Sequence, residues 1–260
     1  MESTHLIKTL HFKNPELLAF SNCEVFKAED TKTGKIVILK SIKRDQTVRR
    51  NKKYKIPFEV FILKKVQHIS GVVKLLDYHK HPKEYLYVFE YIPETVDLWS
   101  YLNEKRKVQE DVAWRIMKRF LLIMKKVEDL GCFHLDIKEE NILISTITNE
   151  ITIIDFGSSR YLKDSTKPIS DTLTTFICRP PESFSKDNYL VKPFMVWQYG
   201  LIWYRLVHTN TAFMDRFEIM YQDVKIDNTL THETKHMIRL CLNKDPTLRP
   251  TLSELIEFLN

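Results

Sequence analysis

At 260 residues the chain suits one two-lobed domain or two small ones, and it can bury a core without covalent staples. Hydrophobic residues make up 43% and charged residues 28%, an ordinary globular mixture, and the net charge of +6 reads as solvated surface lysines. Cys23, Cys132, Cys178 and Cys241 form no CxxC pair, which argues against a disulfide framework or a zinc site. Residues 1–10 lack an apolar core of signal-peptide length, and the run Phe120 to Met124 is far too short to span a bilayer. A soluble, intracellular protein with no membrane partner is expected.

In chain order, residues 23–42 predict two strands around a turn at Thr33-Gly34-Lys35. Pro57 suits the first turn of a helix carrying Phe58, Phe61, Ile62, Leu63 and Val66. Strands are predicted at 72–76 and 85–91; the second alternates aromatic and aliphatic residues as a half-buried strand does. After Pro93 the character turns helical, with helices at 97–103 and 108–130. In the second, Val112, Ile116, Phe120, Ile123 and Val127 recur at helical spacing. Short strands at 142–144 and 151–154 bracket a turn, and helices return from Pro193, with a break at Pro246 and Pro250. A β-rich first third and a helical remainder predict one α+β domain with two lobes, divided near residues 90–94.

The chemistry concentrates in His134-Leu135-Asp136-Ile137-Lys138-Glu139-Glu140-Asn141, followed by Asp155-Phe156-Gly157. A hydroxyl attacking a phosphoryl group needs a carboxylate to orient it and accept its proton, as Asp136 can. Lys138 can offset charge building on the transferred group. The side-chain oxygens of Asn141 and Asp155 are hard ligands suited to Mg²⁺. Each residue alone could equally be a turn or cap residue; the spaced set is what carries the signal.

This set resembles the protein kinase pattern over nearly the whole chain, and the roles follow from that resemblance. It implies a bilobal α+β kinase fold, one domain over 1–260 with lobes of about 1–90 and 91–260, and ATP and Mg²⁺ as cofactors. Asp136 would be the catalytic base, Lys138 the γ-phosphate contact, and Asn141 and Asp155 the metal ligands. Val37-Ile38-Leu39-Lys40 resembles the strand of the ATP-binding lysine, with Glu59 its ion-pair partner. Val25, Glu90 and Asp97 would also line the nucleotide site, Asp97 contacting the ribose or else a substrate arginine. Pro180-Pro181-Glu182 and Leu248-Arg249-Pro250 resemble two late motifs whose Glu182 and Arg249 would pair while buried. The stretches Phe58 to Val66, Gly71 to Asp77 and Ile137 to Ile144 resemble Pim-type serine/threonine kinases. The compact, glycine-poor chain also resembles viral kinases of the baculovirus protein kinase 1 type. Lys138 two residues after Asp136, and Thr175 ahead of Pro180, imply serine/threonine specificity.

The sequence departs from the family in three places. Its three loop glycines map onto Leu18, Phe20 and Cys23, which implies a weaker grip on phosphate and keeps a pseudokinase scaffold as the alternative. Leu135 replaces the arginine that binds a phosphorylated activation loop, so activity independent of such phosphorylation is expected. Met195 replaces the aspartate that steadies the catalytic loop. On the substrate side, where Glu140, Glu139 and Thr175 would bind, Glu140 implies basic protein substrates; a protamine-like DNA-packaging protein fits the viral likeness. The cluster Lys43-Arg44, Arg49-Arg50 and Lys52-Lys53 reads as an exposed loop in preference to a nuclear-localisation or nucleic-acid patch. The expected location is the cytoplasm, the nucleus or both, in the host cell for a viral protein.

Overall fold

Val37 and Leu39 alternate with Ile38 and Lys40, and this period of two sends the first pair into a core and Lys40 to the opposite face. The computed structural model describes residue 7 and residues 9–20, 23–44, 56–170, 174–185 and 188–259. Ser21, Asn22, Arg49, Arg50, Lys52, Lys53 and Thr172 lie outside the described residues. Two compact units form: Met1–His68 with Val73–Pro93, and Ile69–Val72 with Glu94–Asn260.

The first unit is an antiparallel sheet of β1 (Phe12–Phe20), β2 (Glu24–Asp30), β3 (Ile36–Lys43), β4 (Leu75–Lys80) and β5 (Glu84–Glu90), ordered β1-β2-β3-β5-β4. One face packs Phe12, Phe26, Ala28, Val37, Leu39, Leu86 and Val88 around Ile7. On the other face Lys40 stands opposite Tyr87 in the β3–β5 register and reaches Glu59 of α1 (Phe58–Val66). Both faces are therefore covered, and β5 is buried from Glu84 to Phe89 rather than half-buried as its alternation suggests. The strand expected at 72–76 is instead β4, starting at Leu75; its polar Asp77, His79 and Lys80 suit the sheet edge it occupies. Val72 makes only an isolated bridge to Ile153 within the second unit. β1 was not legible as a strand: it is mostly exposed and its pairing with β2 slips twice.

The second unit comprises β6 (Thr95–Asp97), α2 (Leu98–Lys105), α3 (Glu110–Asp129), β7 (Cys132–Phe133), β8 (Ile142–Ser145), β9 (Ile151–Ile153) and β10 (Arg160–Tyr161). It continues with α4 (Glu182–Ser185), α5 (Val191–Val207), α6 (Arg216–Tyr221), α7 (His232–Cys241) and α8 (Leu252–Phe258). The helical spacing read from sequence is the buried stripe of α3, from Ala113 through Phe120 to Val127. Gly131 (φ 70°) ends that helix, and a Cβ there would sit 2.8 Å from Leu162 O. Helix α5 is apolar all round and buried along most of its length, the mark of a central core helix. Gly200 lets it approach α7, because a Cβ there would lie 2.6 Å from Cys241 Cβ. Among the described residues no helix is long and apolar enough to cross a membrane.

Candidate active site

The segment between β7 and β8 has little regular structure, so side chains must fix it. His134 is fully buried; its Nε2 lies 2.9 Å from Ile154 O, and its Nδ1 accepts from Asp136 N at 3.3 Å. This assigns the Nε2–H tautomer. Leu135 is buried with φ 65°, an uncommon left-handed conformation for a branched residue. Its N–H points at Met195 Sδ, 3.2 Å away on α5. Met195 thus supplies an acceptor where the family uses a carboxylate.

Asp136 is held from two sides. Its Oδ1 accepts from Thr175 N at 2.9 Å, and Asn141 Nδ2 donates to Asp136 O at 2.8 Å and Oδ2 at 3.3 Å. Lys138 Nζ donates to Thr175 Oγ1 at 3.0 Å and lies 3.9 Å from Asp136 Oδ2. Both of these Asn141 bonds use Nδ2, which leaves the ligand chemistry to its Oδ1. The pairing of β8 with β9, with Ile154 N bonded to Asn141 O, brings the segment carrying Asp155 alongside Asn141. The sharp turn after that strand falls on Asp155 itself (φ 59°, ψ 74°), whose Oδ1 accepts from Gly157 N. Asp136, Lys138, Asn141, Asp155 and Thr175 therefore gather around one loop of the second unit.

The acids after Lys138 diverge. Glu140 is half exposed, 3.9 Å from Lys138 Nζ. Glu139 is largely buried, 3.6 Å from Arg205 Nε of α5. Burial pushes its carboxyl up to about 7; the Arg205 guanidinium pulls the other way, and Glu140 and Asp97 add to the rise. Desolvation outweighs a single guanidinium that is also held by Arg106 O, His208 O and Asn103 Oδ1. Asp97 caps α2, accepting from Ser100 N at 2.8 Å and Ser100 Oγ at 2.7 Å. A cavity of about 180 Å³ beside the loop is lined by Trp99, Lys138, Glu139, Glu140, Thr175 and Cys178 among others.

In the first unit Lys40 Nζ pairs with Glu59 Oε1 at 2.9 Å, both largely buried. Val25 faces Lys40 across the β2–β3 register, and Glu90 Oε1 accepts from Lys74 N at 3.0 Å. Of the loop positions, Leu18 and Phe20 sit at the end of β1 and are 50% and 74% exposed. In the second unit Arg249 makes a two-pronged pair with Glu182, each bond 2.7 Å and both side chains buried, as the motifs implied. Sequence reading missed Gln198 and Arg205; the available signal was a polar and a charged residue inside the otherwise apolar α5.

Residues 20–258 match the model of the protein kinase domain, and the chain belongs to that family. Its α+β architecture, an antiparallel sheet with one helix followed by a helical unit, is the family's own. The chain is 29% identical to the serine/threonine-protein kinase pim-2 of Danio rerio over 90% of its own length and 78% of that protein. It is 30% identical to serine/threonine-protein kinase 1 of African swine fever virus over 76% and 66%. With prk-2 of Caenorhabditis elegans it shares 27% over 89% and 54%, so the chain spans about half of that relative.

Proposed function

We propose that the chain is a serine/threonine kinase that transfers the γ-phosphate of ATP to hydroxyls of basic proteins. The observation that carries this is the set of bonds holding Asp136 from Thr175 and Asn141, with Lys138 joined to Thr175. Each oxygen of Asp136 has a lone pair beyond the bond it already accepts. A substrate hydroxyl can donate there and pass its proton to the carboxylate as the oxygen attacks. Lys138 offsets negative charge on the moving phosphoryl group, and its bond to Thr175 keeps the ammonium near Asp136. Asn141 Oδ1 and the Asp155 carboxylate form a hard-oxygen pair that fits Mg²⁺, with phosphate and water completing the shell. When bound, the ion shields the phosphate oxygens and helps the leaving group depart. In this reading Lys40, fixed by Glu59, meets the nucleotide phosphates.

The substrate class rests on Glu140, the exposed acid beside Lys138; Glu139 is already matched by Arg205. An arginine-rich, protamine-like DNA-packaging protein has the right charge. The scaffold alternative draws only on the glycine-poor loop, whereas the polar catalytic set is complete. The test is phosphorylation of an arginine-rich protein with Mg²⁺-ATP, with Asp136→Asn as control. Transfer should fall about 10²- to 10⁴-fold in the variant while its fold persists. No transfer by the folded wild type would leave the scaffold reading. A peptide array with no preference for upstream arginine would remove the basic-substrate claim alone.

A further inference from the structure

The proposed base, Asp136, sits between two peptide groups that one buried side chain grips. Gln198, on α5, is fully buried. Its Oε1 accepts from Ile137 N at 3.1 Å, and its Nε2 donates to Leu135 O at 3.3 Å and to Cys178 O at 3.4 Å. The amide orientation is unique. Flipping it would set NH₂ against the Ile137 N–H and oxygen against two carbonyls. Cys178 closes the short turn Phe176–Cys178 that follows Thr175, which donates to Asp136 Oδ1. One amide therefore joins both flanks of the base to the segment that orients its carboxylate.

We infer that Gln198 is a positioning residue for phosphoryl transfer, setting the aim of Asp136 and its registry with Thr175. This rests on the function proposed above. Misplacing a reacting group by about 1 Å can cost about 10²-fold in rate without altering how substrates bind. Gln198→Leu removes all three bonds while keeping an apolar shape in the helix. Gln198→Glu provides a chemical rescue. Its neutral carboxyl can accept from Ile137 N and donate to one carbonyl, whereas the ionised form has no donor and repels both carbonyls.

The experiment compares wild type, Gln198→Leu and Gln198→Glu with Mg²⁺-ATP and an arginine-rich peptide. Deuterium uptake is followed in the peptide from His134 to Lys138. In Gln198→Leu, kcat should fall about 10- to 100-fold with both KM values within about threefold of wild type, and uptake should rise. In Gln198→Glu, kcat relative to wild type should decline as pH rises from about 6 to about 9, as the carboxyl ionises. A Gln198→Leu kcat within about twofold of wild type, a loss confined to KM, or a flat Gln198→Glu ratio would each overturn the inference. If Gln198→Leu fails to fold, the Gln198→Glu profile decides. If wild type transfers no phosphate, the proposed function fails, and unchanged uptake in the variants would overturn the tie itself.

Discussion

Glu139 and Glu140 are adjacent and chemically identical, yet the fold gives them different work. Glu140 is half exposed beside Lys138, whereas Glu139 lies against the Arg205 guanidinium, and burial raises its carboxyl from 4.5 to about 7. The folded protein then retains a proton that the unfolded chain releases, so stability falls as pH rises through that interval. The loss is at most about 3 kcal/mol. His208 acts in the opposite sense. Burial lowers its pKa, its Nε2 accepts from Asp227 N, and stability is lost as pH falls below the ordinary value of 6.5. Comparing wild type with Glu139→Gln cancels the His208 contribution. Denaturant unfolding from about pH 4 to about pH 8 should show a shallower decline in the variant. Parallel curves would mean that Glu139 titrates as an exposed acid.

At the scale of elements, α5 is the organiser of the second unit. Met195 and Gln198 hold the loop carrying Asp136, Arg205 matches Glu139, and Pro193 O accepts from Arg249. Arg249 also donates to Asn243 O and stacks over Trp197, so it ties the start of α4 to the chain leading into α8. Arg249→Ala strands a buried Glu182 and should cost about 3 to 5 kcal/mol in chemical denaturation. Loss of less than about 1 kcal/mol would show that water reaches the carboxylate. Such pairs were legible because both partners lie in short motifs. So was α3, whose stripe has one period throughout. β1 was not legible, since a mostly exposed strand with two register shifts leaves no alternation in the sequence. Gln198 escaped for a different reason: it acts on peptide groups some sixty residues earlier, and such tertiary bonds leave no local pattern. The left-handed turn at Asp155 was not legible either, because a positive φ at a residue other than glycine leaves no mark in the sequence.

For the molecule as a whole, the question is whether a phosphate must be added before the second unit is competent. In a kinase with an arginine beside its base, that guanidinium and a phosphorylated loop together fix the segment carrying the substrate-side threonine. Here the neighbouring position is Leu135, buried and apolar, with only peptide groups to offer. The same segment is instead fixed by unmodified groups. Thr175 bonds Asp136 and Lys138, and Cys178 O bonds Gln198. Among the described hydroxyls of the loop, Thr166 and Ser170 are exposed, while Thr174 is 4% exposed and poorly placed for a second enzyme. A phosphate on Thr166 or Ser170 would thus add charge without a partner at Leu135. Phosphatase-treated protein, checked by intact mass, should keep kcat within about twofold of untreated protein. Double replacement of Thr166 and Ser170 by alanine should do the same. A rate that collapses on dephosphorylation and returns with the phosphate would show that another cation takes the place of the missing arginine. The order already present around Asp136 argues that none is needed.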